Sequence, residues 1–162
     1  MVASNLIPAL QLSVRAGVAA TLALVGAQYF KMQHPLYAMV SAIIVTDLEA
    51  SQTPKLALPR FAGTLIGSSL GAAINTLLPP SLWTIGPGIM IAMFVSDLVS
   101  IPAAAKVAGF VCGVILLDHG AAPWTDAFFR MIETALGIAA AMCVSVVPKL
   151  LPTANPNDTK QP

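Results

Sequence analysis

Arg130 and Glu133 stand three residues apart in an otherwise apolar run, a spacing that puts both on one face of a helix. Arg15 and Arg60 also lie in or beside apolar stretches. An ionised side chain in the middle of a membrane helix costs about 2.5–3.5 kcal/mol on insertion scales, so such a group must face a partner or a polar cavity. A guanidinium offers a planar fork of donors that fits a carboxylate at two points. Arg15, Arg60 and Arg130 therefore predict a cationic lining for an anionic group, with Glu133 the one deep acid able to take up a proton. The competing reading is structural: Arg130 and Glu133 neutralise each other, while Arg15 and Arg60 snorkel to the interface. His34, immediately before Pro35, is either a titrating group at an outer gate or an interfacial capping histidine. Asp47 and Asp118 each close an apolar run, and Asp97 with Lys106 reads as an ion pair flanking an inner loop. HExxH spacing, a nucleophile elbow and paired catalytic carboxylates are all missing from the sequence, so neither an enzyme nor a metal centre or cofactor is expected.

The elements that hold these groups are set by composition. Hydrophobic residues make up 57% of the chain and charged residues 9%, with mean hydropathy +0.82, against roughly 25% charged residues in an ordinary soluble domain. That leaves too little polar surface to face water. A closed barrel would need strands alternating apolar and polar, whereas this sequence has unbroken apolar runs rich in Ala, Leu, Gly and Met. An all-α membrane protein follows. A net charge of +1 without a Lys/Arg cluster excludes a nucleic-acid partner. Cys112 and Cys143 form no CxxC pair and read as small residues buried in apolar segments. Residues 1–12 carry no charge, so the positive n-region of a cleavable signal peptide is not expected.

Proline ends or kinks helices because it lacks an N–H and clashes with the preceding turn. Its positions divide the chain into six segments, 9–30, 36–47, 61–78, 82–99, 103–117 and 124–147, after Pro8, Pro35, Pro59, Pro80, Pro102 and Pro123. Residues 1–150 thus form a domain of six transmembrane helices, and 151–162 a polar, proline-rich, disordered tail. Positive residues accumulate on the cytoplasmic side. Placing both termini inside puts Lys55, Arg60, Lys106, Lys149 and Lys160 at inner ends and Asp118, Asp126, Trp83 and Trp124 at outer ones. Multi-pass insertion in the inner membrane with cytoplasmic termini is the expectation.

At an offset of about seventy residues the halves match. Arg60, Thr64 and Gly67 read R-x-x-x-T-x-x-G, as do Arg130, Thr134 and Gly137, and each arginine follows an apolar run that ends in an acid. Each half has an odd number of helices, so the copies enter the bilayer from opposite sides in a 3+3 inverted repeat. The second and fifth helices occupy equivalent places and are both short, and short segments at matching positions of inverted halves point to a transporter's central site. Gly63, Gly67 and Gly71, and Gly109 with Gly113, repeat every four residues and predict close helix contacts, within one subunit or between subunits.

The strings HPLYAMVSAIIV, RFAGTLIGSSLGAAI and WTDAFFRMIETALGIAAAMCV resemble the six-helix membrane block of the fusaric acid resistance family, whose relatives include aromatic acid exporters and plant aluminium-activated malate transporters. The resemblance rests on Tyr37 after the HP pair, on R-x-x-G-T-x-x-G from Arg60, and on R-x-x-E-x-x-x-G from Arg130. It implies efflux or passive conduction of small organic anions, aromatic or dicarboxylic, with the arginines drawing in the carboxylate. Larger members carry a cytoplasmic helical domain or a second membrane block. This chain has neither, which implies a homo-oligomer in contact with membrane lipid. The alternative is a small non-transporting subunit that packs against a larger membrane complex.

Overall fold

The computed structural model describes residues 3–49, 51–78, 81–118 and 122–147. The proline pair at 79–80, the boundary at Pro148 and the tail at 151–162 lie outside the described residues. Among those described, six α-helices follow one another: α1 (Ala3–Tyr29), α2 (Pro35–Val45), α3 (Thr53–Leu77), α4 (Leu82–Leu98), α5 (Ala105–Leu117) and α6 (Pro123–Ser145), with one 3₁₀ turn over Pro102–Ala104 before α5.

Several of the expected boundaries are set by the residues that suggested them. Pro35 and Pro123 open α2 and α6, where a missing N–H costs nothing and the fixed φ suits a helix start. Ser81 caps α4 by accepting from Trp83 N–H at 3.2 Å, while its own N–H donates to Thr84 Oγ1 at 3.3 Å. Other prolines behave differently. Pro8 and Pro59 lie inside α1 and α3 rather than before them, and Pro87 lies inside α4. Pro8 falls within the second turn of α1, close to the end where N–H groups lack helical partners anyway. In α3 the helix simply begins six residues earlier, at Thr53 with Pro54 in its first turn.

Two helix ends share one device. Lys31 and Ser100 have φ of 51° and 63°, in the left-handed region. At the first, Met32 N–H donates to Ala27 O at 2.9 Å and Lys31 N–H to Gln28 O at 3.0 Å. At the second, Ile101 N–H donates to Ser96 O at 3.1 Å and Ser100 N–H to Asp97 O at 2.9 Å. Both α1 and α4 thus end in a Schellman turn that satisfies their last carbonyls.

The interior is built from small side chains. Ala19, Ala23 and Ala27 of α1 meet Ala38 and Ala42 of α2 in one cluster; Val45, Ala57, Ile138 and Ala141 form a second, and Ala72, Val111, Ile115 and Ala127 a third. The large apolar residues point outward, including Leu10, Leu22 and Val25 of α1 and Met90 and Phe94 of α4. Bulk outside and alanine inside is the arrangement of helices that pack in lipid, where close backbone approach replaces hydrophobic burial as the driving force. Helices over Leu6–Tyr29 and Pro123–Ser145 are long and apolar enough to cross a bilayer by length and composition alone. With 11 and 13 residues, α2 and α5 rise only about 17 and 20 Å.

The glycines set the closest approaches, and they do so within the chain. A Cβ on Gly67 would collide with the carbonyl oxygen of Ala108 in α5, and one on Gly137 with that of Ala38 in α2. Gly63 and Gly71 also face α5, at Val107 and Ile115, while Gly109 and Gly113 face Ile89 and Met93 of α4. Consequently α3 lies on α5 and α6 lies on α2. The long helices α3 and α6 pack on each other, and among the described residues the backbones of α2 and α5 stay apart.

Candidate functional site

At one end of the bundle the start of α6 meets the start of α2 and the end of α5. Arg130, about two turns into α6, is 2% exposed. Its Nη2 donates to Asp118 Oδ2 at 3.2 Å, and its guanidinium carbon lies 3.7 Å from the centre of the Tyr37 ring. A planar cation over an aromatic face gains most when water is excluded. Nε and Nη1 of Arg130 are buried without a hydrogen-bond partner, as is Oε2 of Glu133.

Glu133 is fully buried and does not pair with Arg130; its Oε1 accepts from the backbone N–H of His34 at 2.8 Å. That N–H belongs to the N-cap of α2, so the carboxylate occupies the positive end of a helix whose first turn has donors to spare. Asp118 has the opposite placement. It is the C-cap of α5, where a carboxylate opposes the helix dipole, and its side chain is 42% exposed. Its attachments here are Arg130 and, at 3.8 Å, His34 Nε2. His34, Tyr37, Asp118, Arg130 and Glu133 therefore converge.

The other arginines lie elsewhere. Arg60, in α3 and 4% exposed, donates from Nε to Ser41 Oγ of α2 at 3.2 Å, too deep to snorkel. Between the two arginines the long helices touch through Thr64 and Thr134, whose hydroxyl oxygens are 3.4 Å apart. Arg60 precedes Thr64 and Arg130 precedes Thr134 by one turn each, so the arginines stand on opposite sides of this crossing. Arg15 is not brought to either of them. It donates to the carbonyl oxygens of Leu48 and Val147, just past the ends of α2 and α6, and so closes off two chain ends. Asp47 is half-buried, with Oδ1 accepting from Glu49 N–H at 2.9 Å in its own turn.

Sequence reasoning passed over two residues. Ser41 holds Arg60, and Lys106 lines a cavity with it rather than pairing with Asp97, since the ion pairs among the described residues both involve Asp118. The seventy-residue offset carried no signal for either, since it aligns Ser41 with Val111 and Lys106 with Leu36. Cys112 is buried as expected, while Cys143 lies exposed on the outer face of α6.

Residues 19–144 match the fusaric acid resistance protein-like family. The chain belongs to that family. The matched span contains every residue of the Arg130 cluster together with Arg60 and Lys106, whereas Arg15 precedes it. No curated protein and no solved structure matches the chain. Membership in the fusaric acid resistance protein-like family carries a membrane transporter-like function for small organic compounds and fits the lipid-facing surface described above.

Proposed function

We propose that this chain is a six-span carrier or channel that moves small organic anions, aromatic or dicarboxylic acids, out of the cell, with Arg130 holding the carboxylate. The observation that carries this reading is a buried guanidinium with two of its nitrogens unengaged, beside an aromatic ring and tied only to a half-exposed aspartate. A buried cation left part-satisfied is costly, and an arriving carboxylate supplies what it lacks. Asp118, disfavoured at its helix end, is the group such a substrate displaces. Glu133 and His34 form the adjoining wall, with Glu133 the candidate proton carrier for a coupled cycle.

The architecture supporting this role is the 3+3 inverted repeat. Exchanging α1 with α4, α2 with α5 and α3 with α6 carries every helix contact into another one present: α1 on α2 becomes α4 on α5, and α2 on α6 becomes α5 on α3. Gly67 on Ala108 becomes Gly137 on Ala38 at a constant offset of seventy. Thr64 and Thr134 are then each other's equivalents and meet on the axis. The two Schellman turns match as well. Insertion in the inner membrane with cytoplasmic termini puts Arg130, Trp83 and Trp124 in the outer half and Arg60 with Lys106 in the inner half. A homo-oligomer is proposed on the outward-facing small pair Ala135 and Ala139 of α6, which line shallow apolar grooves of about 330 and 360 Å³.

Uptake of radiolabelled benzoate into proteoliposomes tests the proposal. Flux should fall about 10- to 100-fold in Arg130→Ala, the loss of a hydrogen bond to a charged group. Wild-type flux from a variant that still assembles would remove Arg130 from the pathway.

A further inference from the structure

The Arg60 end holds a separate cavity of about 260 Å³, lined by Val40 and Ile44 of α2, Arg60 of α3, and Lys106, Val107 and Phe110 of α5. Its lining contains two cations and no acid. Among the described residues Arg60 makes one side-chain hydrogen bond, from Nε to Ser41, which leaves its two terminal nitrogens without a partner there, and Lys106 forms no ion pair. The remaining walls are hydrocarbon and one aromatic ring. Two like charges brought together against apolar walls repel each other and gain nothing from the fold itself; what they complement is a molecule with an anionic head and an apolar body.

The pocket, about 260 Å³ and open on one side, has room for one aromatic ring with a carboxylate. The head is recognised at two points, by the guanidinium fork of Arg60 and the ammonium of Lys106. Phe110 offers a ring for the body to stack on.

We infer that Arg60 and Lys106 form a second anion station for small aryl carboxylates, distinct from the Arg130 station across the Thr64–Thr134 crossing. The inference rests on the proposed function only for the class of ligand, since the two stations share no residue. Unlike Arg130, Arg60 has no carboxylate to displace. Its station is the open one.

Equilibrium binding of radiolabelled benzoate to the purified chain in zwitterionic nanodiscs tests this. Two benzoates per chain are expected in the wild type and one in Arg130→Ala; adding Lys106→Ala to that variant should remove or weaken the remaining one about tenfold, and Lys106→Arg should retain it. One benzoate per wild-type chain, lost in Arg130→Ala, would overturn the second station and leave the proposed function standing. The reverse, binding that depends on Lys106 and is indifferent to Arg130→Ala, would support the second station and sink the Arg130 reading. Repeating the measurement with phosphatidylglycerol in the bilayer separates substrate from lipid. If anionic lipid abolishes the Lys106-dependent binding, the cavity is a headgroup site and the inference fails.

Discussion

Arg130 and Arg60 occupy matching places one turn ahead of matching threonines, yet their surroundings differ. Arg130 has an aspartate on one nitrogen, a tyrosine ring on its face, and a buried glutamate one turn along. Arg60 has a serine hydroxyl, a neighbouring lysine and an open apolar cavity. The backbone treats the two ends alike, down to the glycines that let α3 and α6 settle onto α5 and α2. Side chains make one end self-occupied and the other vacant of counter-charge. The same kind of cation is thus paired with an internal carboxylate at one end and with a serine hydroxyl at the other.

The largest expected effect breaks the comparison at Arg130, where alanine should cost about 10- to 100-fold in benzoate flux while leaving binding at the Arg60 cavity intact. Next come the glycines. Gly67→Ala and Gly137→Ala should each destabilise the bundle by about 1–3 kcal/mol, because the neighbour in each case is backbone that cannot yield. Thermal unfolding in detergent should show similar losses for the pair; Gly17→Ala and Gly86→Ala, where an added Cβ meets nothing within 4 Å, should instead be neutral or gain up to about 1 kcal/mol. A large inequality between Gly67 and Gly137 would mean that the ends are not equivalent in packing. Asp118→Asn sharpens the electrostatic half of the contrast. Removing a half-exposed ion pair of about 0.2–1 kcal/mol should tighten benzoate at Arg130 by about two- to fivefold and leave the Lys106-dependent binding unchanged. The smallest effect lies at the crossing: Thr64→Val and Thr134→Val should each cost about 0.6 kcal/mol, and the double variant little more than either alone, since both remove one shared contact.

Much of this arrangement was legible in the residues. R-x-x-x-T-x-x-G occurring twice located the two arginines, the threonines that meet and the glycines beneath them, because each of those roles demands a particular residue type. Pro35 and Pro123 marked true helix starts, since a rigid φ without an N–H suits that position. Pro8 and Pro59 misled because each sits in the second turn of a helix that starts earlier, where proline removes one hydrogen bond without ending the helix. Arg15 could not be read either. Its partners are backbone carbonyls 33 and 132 residues away, and backbone leaves no mark on sequence. Arg130 and Glu133 form no direct ion pair among the described residues, because spacing on a helix permits contact without requiring it, and Asp118 and the N-terminus of α2 engage the two groups from other helices. Lys106 was assigned to Asp97 by proximity in sequence, whereas the fold turns it toward Arg60.

In the proposed function a substrate carboxylate sits on the Arg130 guanidinium. Magnetic-resonance distance measurement between ¹⁵N-labelled arginine side chains and benzoate carrying ¹³C in its carboxylate, in membranes of the reconstituted chain, addresses it without intermediate assumptions. Dipolar coupling at hydrogen-bonding range is expected, and Arg130→Lys should remove the part that belongs to Arg130 while leaving any part that belongs to Arg60. Coupling absent under saturating benzoate, or present and unaltered by that substitution, would contradict it.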